Sequence, residues 1–327
     1  MKRRTFLAGI AGVAATAAVG GAAIARSDGR PSIRVGVMAN LTHAPLLAGL
    51  GSGRVARALA PVRVESRLFR GGPRVTEALI GDAIDVGTAG PAAVVVHHAR
   101  HAGGSHGLRV LGGCASGGAS LVVTARSRVV RPSDLAGKRL AVTQIGTTQD
   151  VALRHFIAAH GLRDAAAGGD VRVVAIAPAT ILAQMGSGDL DGAWLPEPWA
   201  TRLVRELGAI RFVDERDLWE AGRFSTAILV TRRDRASDPR VTALAAALRD
   251  EVERSLRDPA TTREEAYAEL RRHLGNPGKR VDFDEAWRFM EMTNDPLRAS
   301  IEAFASRAAS LGLCPSGGAG GLFGERS

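Results

Sequence analysis

The chain has 327 residues, 46% of them hydrophobic and 23% charged, so it can bury a substantial core and does not have the composition of a disordered chain. The formal charge is +10, yet the arginines are scattered and aromatics make up only 4%, which argues against a nucleic-acid surface. A mild field that favours approach of an anion and a plain richness in arginine both account for that balance.

Lys2, Arg3 and Arg4 open the chain, and Phe6 to Ala25 follows without a charge. Ala23-Ile24-Ala25 is an A-x-A cleavage site with Arg26 as the mature start. Arg3-Arg4-Thr5-Phe6-Leu7 resembles a twin-arginine signal. Residues 1–25 are therefore expected to be a signal peptide, whose loss takes the formal charge from +10 to +7 (10 − 3). Retention as an anchor is the alternative, because about 20 apolar residues can span a bilayer. Either way the protein belongs outside the cytoplasm, periplasmic or otherwise extracytoplasmic. That compartment permits a disulfide between Cys114 and Cys314, but no spacing motif decides the pairing.

The mature chain alternates β-branched runs with helical stretches, the pattern of α/β layering with a largely parallel sheet. Strands are expected over Ile33–Met38, Val62–Phe69, Ile84–Thr88, Leu108–Gly112 and Ser120–Thr124. Helices are expected over Ala44–Leu59, over Thr76–Ile80 and from Pro91. A second series has strands at Arg139–Thr143, Val171–Ile176, Gly192–Leu195 and Ile210–Val213, then Ala227–Thr231. Its helices are Thr148–His160, Ile181–Met185 and Glu197–Leu207. After Asp238 only helices are expected: Val241–Arg257, Arg263–His273, Phe283–Thr293 and Leu297–Leu311. Two series imply two lobes, with crossings near Ala125 and Phe224. Lobe one is then 26–125 with 225–314, lobe two is 126–224, and 315–327 is a flexible tail.

Three loops follow strands and open helices: Asn40 to Pro45, Gly87 to Pro91, and Thr143 to Asp150. They bring Asn40, His43, Thr88, Gly90, Pro91, Gln144, Gly146, Thr147, Thr148 and Gln149 to helix N-termini, where free N–H groups favour an anion. Simple capping also explains the third loop, since Thr147-x-x-Asp150 is a capping box. In Trp194-Leu195-Pro196-Glu197-Pro198-Trp199 the two tryptophans can wall a pocket or fill core, and Glu197 can receive an amine or brace the loop. Catalytic strings fail on context. Gly103-Gly104-Ser105-His106-Gly107 leaves a helix and enters a strand, the reverse of a nucleophile elbow, and reads as a loop. His97 and His101 stand at i,i+4 with no second ligand cluster, so neither metal nor cofactor is expected.

Six stretches carry a resemblance: Asn40-Leu41-Thr42-His43-Ala44, Ala78 to Asp85, Asp134 to Lys138, Gly146 to Asp150, Gly188 to Trp194, and Glu197-Pro198-Trp199. In this order and spacing the chain resembles the solute-binding proteins of nitrate, taurine and aliphatic-sulfonate ABC importers. The resemblance implies a two-lobed type II periplasmic-binding-protein fold with mixed, mainly parallel sheets and a helical C-terminal segment. It adds the loops at Arg70 to Gly72, with Gly71 and Gly72, and at Gly117 to Ser120, with Gly118, to the cleft. The implied function is non-catalytic capture of a small anion, aliphatic sulfonate or taurine first and nitrate next, by a monomer serving an ABC permease and its ATPase. A same-fold enzyme or a pyrimidine-precursor binder is the alternative.

Overall fold

The computed structural model describes residues 30–101 and 106–324, so the expected signal peptide and Gly103–Ser105 lie outside the described residues. Ile33, Val35 and Val37 alternate into the core from β1 (Ser32–Met38), whose β-branched side chains suit a pleated surface. This strand pairs in parallel with β2 (Arg63–Phe69) and β3 (Val86–Ala89). Next in the same sheet come β10 (Ser225–Arg232), β4 (Leu108–Gly117) and β11 (Met290–Met292), each antiparallel to its neighbour. The second sheet has the order β7-β6-β8-β5-β9: Arg172–Ala175, Arg139–Val142, Gly192–Pro196, Ala119–Val123 and Ile210–Asp214. There β6 runs parallel to β7 and β8, whereas β5 is antiparallel to β8 and β9.

Helices cover these sheets: α1 (Ala44–Gly51), α2 (Arg54–Ala58), α3 (Gly72–Ile80), α4 (Pro91–His101), α5 (Thr148–Ala159), α6 (Pro178–Ser187) and α7 (Trp199–Leu207). The C-terminal set is α8 (Pro239–Arg257), α9 (Pro259–Leu274), α10 (Arg280–Ala286) and α11 (Arg298–Ser310). One core gathers Val35, Leu46, Leu47, Leu244, Leu248 and Phe283 where α8 and α9 pack on α1. Another gathers Leu121, Leu140, Phe156, Trp194, Phe224 and Phe304, which ties α11 to the second sheet through α5. No described helix is long and apolar enough to cross a membrane.

The structure departs from the sequence expectations at four places. The helix expected over Ala44–Leu59 is two helices, because Gly53 takes φ +74° between them. The chain changes sheet at Gly117–Gly118 rather than near Ala125, since Ser120 to Val123 pairs with β8 and β9. The segment Met290–Met292, expected as helix, is an edge strand against β4. The expected flexible tail instead folds back through Gly324: Leu322 is fully buried, and its carbonyl accepts the Val110 N–H at 2.9 Å. Cys114 and Cys314 are both free thiols, and burial pushes Cys114 up to about 12.

Candidate functional site

The carboxyl ends of β1, β2, β6, β7 and β8 face one cavity of about 480 Å³, the position where open α/β sheets bind ligands. From the first sheet come Met38, Asn40, Thr42, His43, Phe69, Arg70 and Thr226. From the second come Thr143, Gln144, Ala175, Ile176 and Pro196. Leu274 and Asn276, at and just beyond the end of α9, complete the rim.

Six helices begin on this cavity. They reach it through His43 (α1), Gly71 and Gly72 (α3), Gly90 (α4), Thr147 and Thr148 (α5), Ala177 and Pro178 (α6), and Trp199 (α7). The first turn of a helix leaves backbone N–H groups without intrahelical partners and carries the positive end of the dipole. Among the described residues no aspartate or glutamate lines the cavity; Asp150 and Glu197 stand behind it at the starts of α5 and α7. The one formal cation in the described lining is Arg70, exposed and with no ion pair among the described residues. His43 is buried with its Nδ1 unpartnered among the described residues, and burial holds the imidazole down to about 3, so it meets the cavity as a neutral ring.

The loops approach each other closely because glycines let them. A Cβ added to Gly90 would stand 2.7 Å from Thr148 Oγ1, and one on Gly71 would collide with Gln144 Oε1. The Ala92 N–H donates to Thr148 Oγ1 at 3.5 Å. Thr147 is a true N-cap: its Oγ1 accepts the Asp150 N–H at 3.4 Å and donates to the Gln144 carbonyl at 2.8 Å. Asn40 Oδ1 accepts the Thr42 N–H at 3.0 Å, holding the turn before α1.

Ten of the sixteen residues expected at the site line the cavity: Asn40, His43, Gly71, Gly72, Gly90, Gln144, Thr147, Thr148, Gln149 and Trp199. Six do not. Thr88 sits opposite Leu229 inside the sheet, with a buried hydroxyl unpartnered among the described residues, and Pro91 is buried in the first turn of α4. Gly118 is the turn between sheets at φ +74°, and Gly146, at φ +77°, donates its N–H to Asp150 Oδ2 at 2.8 Å. Trp194 fills core and donates Nε1 to Glu215 Oε2 at 2.8 Å. Glu197 braces its loop rather than receiving an amine: Oε1 accepts Arg211 Nη2 at 2.7 Å and Oε2 accepts the Thr201 N–H at 3.0 Å. Sequence reasoning missed the wall from Ile176 to Ala179, although Pro178 after a strand is the same helix-opening signal that marked the other loops.

The NMT1-like family profile matches residues 27–268. This chain belongs to the NMT1-like family. Its fold is shared with periplasmic solute-binding proteins. The alkanesulfonate-binding protein of Xanthomonas axonopodis pv. citri, solved with MOPS bound, superimposes with a TM-score of 0.70 at 21% identity, covering 88% of this chain and 96% of that one. The nitrate-binding protein of Synechocystis PCC 6803 gives a TM-score of 0.70 at 16% identity, covering 88% and 83%. The taurine-binding periplasmic protein of Escherichia coli K12 is 26% identical over 174 residues, 52% of this chain and 50% of that protein. This NMT1-like chain thus spans about half the length of that curated relative. All three are binding proteins rather than enzymes.

Proposed function

We propose that the protein is the extracytoplasmic solute-binding component of an ABC importer, holding a small anion in the cavity between its sheets and handing it to a permease driven by an ATPase. The observation that carries this reading is the convergence of six helix N-termini on a cavity with no acidic residue in its described lining. Aliphatic sulfonates, taurine and nitrate are the candidate ligand classes. A sulfonate or nitrate stays ionised at physiological pH, so neutral hydroxyl, amide and backbone donors suit it better than a proton-sharing carboxylate. The two sheets act as lobes that close on the ligand, each supplying part of the donor set. The Arg3-Arg4-Thr5-Phe6-Leu7 start supports export by the twin-arginine route as a folded protein.

Differential scanning fluorimetry with ethanesulfonate, taurine, nitrate, bicarbonate and neutral alcohols tests the reading. At a hundredfold excess over its dissociation constant an anionic ligand should add roughly 3 kcal/mol of stability. Stabilisation by neutral or cationic solutes alone would overturn it.

A further inference from the structure

We propose that the cavity takes an organic monoanion with an apolar body and no amine, in preference to a zwitterion or a small inorganic anion. This rests on the anion-binding reading above and narrows it to a chemical class.

Size is the first argument. The cavity of about 480 Å³ falls among pockets that enclose organic ligands, which run to roughly 300–1,000 Å³. An ion the size of nitrate displaces on the order of one or two waters of about 30 Å³ each and would leave most of that space filled with solvent. The lining supplies a use for the rest. Ile176, Ala177, Pro178, Trp199, Leu274 and Phe69 present apolar surface to a ligand body.

Charge is the second argument. A zwitterion brings an ammonium group that must be paired when it leaves water, and an unpaired buried charge is heavily penalised. No carboxylate belongs to the described lining, and the buried ones on the loops behind it are already engaged. Glu197 is closed by Arg211 and the Thr201 N–H, and Asp150 by Arg154 Nε at 2.7 Å and the Gly146 N–H at 2.8 Å. Neutral oxygens in the lining, such as those of Gln144 and Asn276, can accept from an ammonium ion but do not neutralise its charge, and an aromatic face is a further resort. The Trp199 ring, however, already has a cation partner, the Arg202 guanidinium 4.4 Å from its centroid, which is itself paired with Glu206 at 2.7 Å. Arg70 is the single positive side chain in the described lining, which matches one negative charge on the ligand.

Calorimetric titration of the full mature chain with matched probes tests the proposal. Ethanesulfonate and taurine differ by one ammonium, and ethanesulfonate and hexanesulfonate differ only in chain length. Hexanoate and its ω-amino derivative repeat the amine comparison on a carboxylate. We expect each amine to weaken binding at least about tenfold, and the longer sulfonate to bind at least about tenfold tighter than the shorter one. Trp199→Ala should erase much of the chain-length advantage, lowering hexanesulfonate affinity by a larger factor than ethanesulfonate affinity. Taurine binding as tightly as ethanesulfonate, or nitrate outcompeting hexanesulfonate, overturns this inference and leaves the anion-binding function standing. Binding of hexanol with no binding of any anion overturns both.

Discussion

Thr148, in the first turn of α5, accepts a long hydrogen bond of 3.5 Å from the Ala92 N–H on α4, so helix starts from the two sheets touch across the cavity. At that length the bond contributes little, and the hydroxyl keeps its capacity for a ligand. We predict that Thr148→Ala lowers affinity for a sulfonate by about 1–3 kcal/mol and leaves unliganded stability nearly unchanged. Thr88→Val should do the opposite. It removes a buried hydroxyl that has no partner among the described residues without touching the cavity, so affinity holds and stability is level or higher. Titration and melting of both variants check this, and an affinity loss in Thr88→Val alone would refute it.

Gly90 lacks the Cβ that would stand 2.7 Å from Thr148 Oγ1. Gly90→Ala should therefore weaken binding by roughly 1–3 kcal/mol, the usual range for overpacking. Combining it with Thr148→Ala opens the space again, so the double variant should bind better than the two separate losses sum to. A double-mutant cycle measures that coupling, and strict additivity would show that the two residues do not meet.

Arg70 is exposed and has no ion-pair partner in the described structure, so its removal should leave melting unaffected. Arg70→Gln should instead reduce anion affinity by about 1 kcal/mol, in the range of an exposed charge interaction. It should also flatten the fall of affinity with added salt, because the screened charge is gone. Titrations in low and high salt decide; parallel salt curves for wild type and variant would remove Arg70 from the site.

Glu215 is fully buried, and burial pushes its carboxyl from 4.5 up to about 7 even though Trp194 donates to it. A folded value above the unfolded one means that the native state binds the extra proton. Its stabilisation is complete below pH 4.5 and is lost as pH rises through 7. The loss amounts to about 3 kcal/mol. Glu215→Gln keeps an oxygen for Trp194 and removes the titration. Its urea-unfolding free energy should be flatter over that range and exceed wild type at higher pH. A wild-type profile already flat there would contradict the raised value.

Much of the fold was legible because local rules acted alone. The β-branched alternation of Ile33, Val35 and Val37 marks a strand anywhere, and Thr147 before α5 caps a helix anywhere. What failed depended on partners. Ser120 to Val123 has the same apolar pattern in either sheet, and only its pairing with β8 and β9 assigns it to the second. Thr88 and Thr148 both precede or open a helix, yet one hydroxyl turns into packed sheet and the other onto the cavity. That choice is made by tertiary packing and by no neighbouring residue. The wall at Ile176 to Ala179 consists of small apolar groups that carry no chemical signature until the cavity forms around them.

The returning C-terminal segment bears on how the protein can be handled at the bench. Leu322 covers the first sheet, and the Gly320 carbonyl lies 2.7 Å from His98 Nε2 on α4. A chain cut short at the glycine-rich run, which looks expendable on paper, would bare the Val110 N–H and a patch of apolar surface around Leu108 and Ile301. Such a truncation invites aggregation during purification, so an affinity handle belongs after residue 324 rather than in place of what precedes it.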